Sequence, residues 1–160
     1  MPSSIKLASI ENLLINTMTR ESKLKNFLTP LRESYDYILI DTMPSLGMLV
    51  INALVAADSV IIPVQAHFFS AKGLEMLMNT IVEIREELHP NLMVEGILIT
   101  KLQANTNLGE LIFDAIHDTY GDQFKVYDSK IPLSIKAAET SAYGTSLFAF
   151  GPTNRAGTSV

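Results

Sequence analysis

Residues 35–47 read YDYILIDTMPSLG, and this stretch determines the fold that the sequence predicts. An apolar run, residues 37–40, leads into a single carboxylate, Asp41, and then into a turn that contains a proline. Short apolar runs bounded by turn residues are typical of strands buried on both faces of a sheet. Open α/β sheets bind ligands at the carboxyl ends of their strands, and in phosphate-handling proteins an acid at such a position holds Mg²⁺. The stretch therefore predicts a buried strand that ends on an acid placed for a ligand.

The composition indicates one compact globular domain. Of the 160 residues, 48% are hydrophobic and 18% are charged, which excludes a disordered chain. Twelve basic residues against 17 acidic ones argue against a surface dominated by nucleic-acid contacts. The absence of cysteine excludes disulfides and thiolate metal sites. Since the sequence shows neither a secretory signal nor a membrane span, we expect a cytoplasmic protein without a membrane partner.

Apolar runs alternate with segments of helical periodicity along the chain. This alternation predicts parallel β-α-β units and hence a doubly wound α/β fold, with a mostly parallel sheet covered by helices on both faces. The predicted strands are residues 37–41, 59–64, 93–100 and 124–126. The predicted helices are one capped at Ser3 or Ser4 and reaching Met18, and those at residues 21–31, 48–57, 70–88 and 107–121, with a partly helical segment after Ile131.

Three stretches together resemble one protein family. They are YDYILIDTMPSLGMLVINALVAADSVIIPVQ, GLEMLMNTIVEIREELHPNLMVEGILITK and IPLSIKAAETSAYGTSLFAF, in this order. They resemble the ParA/Soj family of deviant-Walker ATPases, which segregate plasmids and chromosomes. The resemblance implies an incomplete P-loop NTPase fold in which residues 1–150 are the C-terminal portion of the ATPase domain and residues 151–160 are a loose tail.

The resemblance also implies a site. Asp41 would be the Walker B acid, which reaches the nucleotide's Mg²⁺ directly or through water, and adenine would lie near Thr100, Lys101 and Pro132. The intact family uses ATP and Mg²⁺, dimerises, binds DNA nonspecifically on the nucleoid and hydrolyses ATP under stimulation by a ParB-like partner. Candidate DNA contacts in this chain are Lys101, Lys125, Lys130, Lys136 and Arg155.

The sequence departs from the family pattern at three places. Met43 replaces one of two prolines after the acid, and Leu133 stands where a basic residue is expected, leaving Lys136 as the nearest match. No Gly-Lys dipeptide occurs in the 160 residues, whereas a phosphate loop needs G-x-x-x-x-G-K-[ST]. We therefore expect that this chain alone neither holds ATP and Mg²⁺ stably nor hydrolyses ATP.

Two functional hypotheses follow. The first is that the chain is the C-terminal part of a truncated ParA-type partitioning ATPase. The alternative is a non-catalytic interaction module that binds a full-length homologue or its partner. In the family the phosphate-loop strand lies between the strands at residues 37–41 and 59–64, so without it these strands would either pair directly or keep open edges. Open apolar edges favour association, and we expect marginal stability or oligomers.

Overall fold

The structure is a computed structural model that describes residues 10–11, 13–43, 45–65, 68–102, 107–144 and 146–149. The predicted caps Ser3 and Ser4, the candidate Arg155 and the tail at 151–160 lie outside these residues. The helices are α1 (Lys23–Leu28), flanked by 3₁₀ turns at Arg20–Ser22 and Thr29–Leu31, α2 (Met48–Ala56), α3 (Phe68–Glu87), α4 (Asn107–Tyr120) and α5 (Ile135–Tyr143), and the strands are β1 (Ser59–Gln65) and β2 (Met93–Thr100). Helical residues also occur at 10–11 and 13–15. None of the helices in these ranges is long and apolar enough to cross a bilayer.

The sheet is parallel and has the predicted α/β character. β1 pairs with β2, and α3 is the crossover between them. Two isolated parallel bridges extend the pairing: Ile97 of β2 pairs with Val126, and Leu102, two residues after β2, pairs with Pro132. The strand predicted at residues 124–126 is therefore reduced to one bridge, because only Val126 adopts the pairing geometry.

The strand predicted at residues 37–41 is wrong for this structure. These residues form no strand within the described part of the chain, and Tyr37 and Leu39 are 87% and 93% exposed. A strand needs a neighbour for its backbone N–H and C=O groups, and none of the described residues provides one. The segment is an apolar stretch without assigned secondary structure, and the side chains of Tyr37 and Leu39 are almost fully exposed.

The apolar run of β1 shows no alternation in the sequence, which predicts burial on both faces, and this prediction is wrong. Burial alternates along the second part of the strand. Ile62 and Val64 are buried, whereas Ile61 is 54% exposed and Gln65 is also exposed. Period-two burial is the pattern of a strand covered on one face only. The apolar composition of β1 thus exceeds what this structure buries.

The chain forms two compact units. The first comprises residues 1–60 and 76–93 and contains α1, α2 and the second part of α3. Arg32 stabilises the C-terminal end of α2 in this unit. The Arg32 guanidinium donates to a carboxylate oxygen of Asp58 at 2.9 Å and to the carbonyl of Ala56 at 3.0 Å. Its core residues are Val50, Ala53, Leu54, Val55, Ala56, Met78, Ile81, Ile84 and Leu92.

The second unit comprises residues 61–75 and 94–160. It contains most of both strands together with α4 and α5. Ile97 and Ile99 of β2 are completely buried, and α4 contributes Ile112 and Ile116 to the same unit's core. The amphipathic pattern of α4 follows the 3.6-residue helical period.

Asn52 anchors α2 to the segment before it. Nearly all of α2 is apolar, and Asn52, its one polar side chain, is only 3% exposed. The amide nitrogen donates to the carbonyls of Arg20 (2.8 Å) and Met48 (2.9 Å), and the amide oxygen accepts from the N–H of Leu24 (3.1 Å). A buried amide that makes all of these bonds fixes α2 against α1 and the 3₁₀ turn before it.

We expect Asn52→Ala to lower the free energy of unfolding by about 2–3 kcal/mol, because it leaves partly buried backbone groups of Arg20 and Leu24 without a partner. Urea unfolding measures this. The control is Asn79→Ala on the exposed face of α3, with an expected change within about 0.5 kcal/mol. Equal effects of the two substitutions would contradict the anchoring role of Asn52.

Candidate functional site

Asp41 lies at the end of the extended apolar segment, and its carboxylate is exposed. The chain then passes through Thr42 and Met43, both exposed, and enters α2 after Gly47, while Pro44 lies outside the described residues. An exposed carboxylate leading into a helix N-terminus is open to a hydrated cation. The acid predicted from the sequence therefore stands in solvent, in the first of the two units.

The chemistry around Asp41 fits Mg²⁺. The cation takes oxygen ligands and usually keeps several waters, with one or two carboxylates completing the set. Asp41 offers a carboxylate and the neighbouring Thr42 a hydroxyl. Among the described residues no three His, Asp or Glu side chains gather into a metal-binding group. The donor set is that of a cation held mainly by water and ligand oxygens.

Thr100 and Lys101 lie where β2 ends. The Thr100 hydroxyl is 3.4 Å from the carbonyl oxygen of Val64 on the neighbouring strand, a weak hydrogen bond that orients the side chain toward β1. Lys101 is exposed and has a φ of 52°, which is the left-handed region. Non-glycine residues are uncommon there, and such strain concentrates at functional positions.

Pro132 is held beside this strand end by backbone pairing. The N–H of Ile131 donates to Ile99 (2.9 Å), the N–H of Leu102 to Ile131 (3.1 Å), and the N–H of Leu133 to Leu102 (2.8 Å). The Leu102–Pro132 bridge completes the ladder. The structure thus brings together three of the four predicted site residues, Thr100, Lys101 and Pro132.

Gly96 of β2 permits the close approach of residues 125–127 to the strand. Ile97 donates to the carbonyl of Lys125 at 2.8 Å, and a Cβ built on Gly96 would lie 2.7 Å from that carbonyl oxygen and 2.7 Å from the Tyr127 ring. Only glycine fits so close to a second backbone. The contact with Gly96 fixes the position of residues 125–127, which lead to Pro132. The sequence alone does not indicate this contact, because a glycine needed for close packing has no local pattern that distinguishes it from a glycine in a turn.

The lysines predicted to contact DNA differ in whether their ammonium groups are already engaged within the chain. The Lys130 ammonium lies 3.7 Å from the Phe113 ring centroid, and that of Lys125 lies 4.5 Å from the Tyr127 ring centroid. These cation–π contacts engage both ammonium groups within the chain. Lys101 and Lys136 are exposed, as is Leu133, which replaces the expected basic residue.

Comparison with known proteins identifies the family to which this chain is similar. The family described as AAA domain matches residues 1–94, and the chain is 41% identical to the sporulation initiation inhibitor protein Soj of Bacillus subtilis over 155 residues, 97% of this chain. It is 36% identical to the chromosome partitioning protein ParA of Myxococcus xanthus over 90% of this chain and 50% of that protein. This chain belongs to the ParA/Soj family. It spans 60% of the length of Soj.

A solved structure places this ParA/Soj chain in the P-loop NTPase fold. The cobyrinic acid a,c-diamide synthase of Mycobacterium smegmatis, determined with a bound ATP analog and magnesium, superposes with a TM-score of 0.76 at 32% identity. The match covers 83% of this chain and 54% of the synthase. The α/β fold expected from the alternation of strands and helices is therefore confirmed.

The left-handed Lys101 provides a test of the strand end. Because glycine adopts this conformation without steric cost, we expect Lys101→Gly to exceed Lys101→Ala in free energy of unfolding by about 1 kcal/mol. At Lys125, which has an ordinary φ, the order of the two variants should reverse, since glycine costs more chain entropy there. Urea unfolding measures the free energy of unfolding of the four variants. If the glycine and alanine variants rank in the same order at both positions, the backbone at Lys101 is not strained.

Proposed function

We propose that this chain belongs to a ParA-type partitioning protein, that Asp41 is its metal-holding acid, and that the residues at the end of β2 are its adenine contacts. One observation carries the proposal: backbone pairing gathers Thr100, Lys101 and Pro132 at the carboxyl end of β2. This is the end at which open parallel sheets bind ligands. The ATP analog and magnesium in the related synthase support the choice of ligand.

Asp41 would hold Mg²⁺, directly or through water. When bound, the cation neutralises charge on the nucleotide phosphates. The exposed carboxylate and the adjacent Thr42 hydroxyl are the groups that this chain offers. The residues at the end of β2 would contact the base through backbone groups and through the uncharged side chains of Thr100 and Pro132, which position a planar ring.

Hydrolysis requires a further segment. The 160 residues contain no Gly-Lys pair and hence no phosphate loop, and phosphoryl transfer depends on such positioning and charge stabilisation. This chain alone would therefore bind ATP weakly and leave it intact. A phosphate loop from additional protein would complete the site and allow dimerisation, nonspecific DNA binding on the nucleoid and response to a ParB-like partner.

The Walker B assignment predicts the effect of Asp41→Ala. In a chimera where this chain replaces the matching segment of Bacillus subtilis Soj, the substitution should raise the Mg²⁺ concentration for half-maximal ATP-dependent dimerisation at least about tenfold, because loss of a metal ligand costs at least as much as loss of its supporting groups. Analytical ultracentrifugation measures the dimer.

Asp36→Ala is the matched control, since Asp36 is an exposed carboxylate five positions before Asp41. It should leave the Mg²⁺ dependence unchanged. Identical Mg²⁺ dependence in the Asp41 variant and the parent chimera would refute the assignment of Asp41.

A second function, an interaction module, is favoured by the exposed segment at residues 37–40. Leu39 and Tyr37 expose nearly their whole side chains, and the extended backbone has no strand partner among the described residues. An edge of this kind accepts an added strand. Because the chain spans 60% of Soj, we propose that the occupant is the phosphate-loop segment of a ParA-type protein.

Leu39→Asp tests this function. The wild-type chain should bind a separately produced phosphate-loop segment of Soj at micromolar concentration, and the substitution should weaken binding at least about tenfold because it places a charge in the added-strand interface. The stability of the chain alone should not change, since Leu39 is already in water.

Leu13→Asp, on an exposed helical position, controls for the added charge. Isothermal titration calorimetry measures both affinities. Absence of binding by the wild-type chain, or equal binding by the Leu39 and Leu13 variants, would contradict the interaction-module function.

A further inference from the structure

The N-terminus of α2 has no cap of its own. Its N-cap residue is Gly47, which provides no side-chain hydrogen bond. The Gly47 carbonyl accepts from the N–H groups of Val50 and Ile51, both at 3.1 Å. The N–H groups of Met48 and Leu49 have no partner inside the helix, because the first turn of any helix leaves such donors free. They carry the partial positive charge of the helix end.

A carboxylate from a distant residue lies at this helix end. A Cβ built on Gly47 would overlap Oε1 of Glu11, and it would lie 3.1 Å from Cδ and 3.5 Å from Oε2 of the same side chain. Glu11 is half-buried and belongs to the helical residues before α1. The Glu11 carboxylate therefore occupies the position that the Cβ of any other residue at position 47 would take.

We propose that Glu11 is the anionic cap of α2 and a positioning residue for the turn that carries Asp41. A negative charge at a helix N-terminus stabilises that end, and Gly47, the N-cap of α2, follows Asp41 by six positions. The capped helix end therefore restrains the turn on one side, while the apolar segment before Asp41 is in solvent. The positioning role rests on the proposed metal function of Asp41, whereas the cap does not.

The cap predicts coupling between Glu11 and Gly47. Glu11→Ala removes the carboxylate, and Gly47→Ala displaces it with a methyl group, so each should lower the folding equilibrium constant about fivefold. In the double variant the carboxylate is already absent, and the Gly47 substitution should cost little more. Urea unfolding of the single and double variants measures this non-additivity.

Gly73→Ala is the matched control, because no atom lies within 4 Å of a Cβ built on this glycine of α3. It should increase stability, as alanine does in helices, and its effect should add to that of Glu11→Ala. Additive effects of Glu11→Ala and Gly47→Ala would overturn the cap.

The positioning role of Glu11 is tested separately, by the Mg²⁺ dependence of dimerisation. In the Soj chimera, Glu11→Gln keeps the size of the side chain but removes its charge, and it should raise the Mg²⁺ midpoint of ATP-dependent dimerisation about tenfold, as supporting groups of metal ligands do. A purely structural Glu11 would leave that midpoint unchanged, and this result would overturn the positioning role.

The two failures are distinguishable. If Asp41→Ala leaves the Mg²⁺ midpoint unchanged, the metal function of Asp41 fails and the positioning role fails with it, whereas coupling between Glu11 and Gly47 still supports the cap. If Asp41→Ala raises the midpoint and Glu11→Gln does not, the metal function stands and only the positioning role is overturned.

Discussion

An extended backbone forms a strand only where a neighbour pairs with its N–H and C=O groups, and this requirement governs the structure. β2 satisfies it with β1 and with the bridge to Val126, and Leu102, just after β2, satisfies it with Pro132. Residues 37–41 are as apolar as β1, yet within the described chain they have no such neighbour and lie in solvent. The chain therefore buries apolar surface where pairing is complete and exposes it where pairing is missing.

The proposed metal-holding acid and the proposed adenine contacts are consequently held in different ways. Thr100, Lys101 and Pro132 are fixed by a ladder of backbone hydrogen bonds between 2.8 and 3.1 Å around Leu102. Asp41 depends on the turn into α2, a helix anchored by Asn52 and, in our proposal, capped by Glu11. A site that becomes complete only when further protein adds the phosphate loop would need such restraint, because an unrestrained acid loses entropy on binding the metal.

Helices and paired strands could be predicted because their signals are local. The ranges of α3 and α4 follow apolar periodicity, and those of α2, β1 and β2 follow apolar runs bounded by turn residues. The strand at residues 37–41 could not be judged in the same way, since its formation depends on a neighbour and not on its own composition. The site residues came from the family resemblance. Backbone strain at Lys101, the close approach at Gly96 and the contact between Glu11 and Gly47 arise from tertiary structure, which no spacing in the sequence indicates.

The most direct test is amide hydrogen exchange of residues 37–40, measured for this chain alone and after addition of the Soj phosphate-loop segment. Our account predicts that these amides exchange at nearly the intrinsic rate of unstructured chain when the protein is alone, and that they become protected when the segment binds and pairs with them. Protection of these amides in the chain alone, or no gain of protection with the segment present, would contradict the claim that residues 37–40 are an open strand position of a ParA-type nucleotide-binding fold.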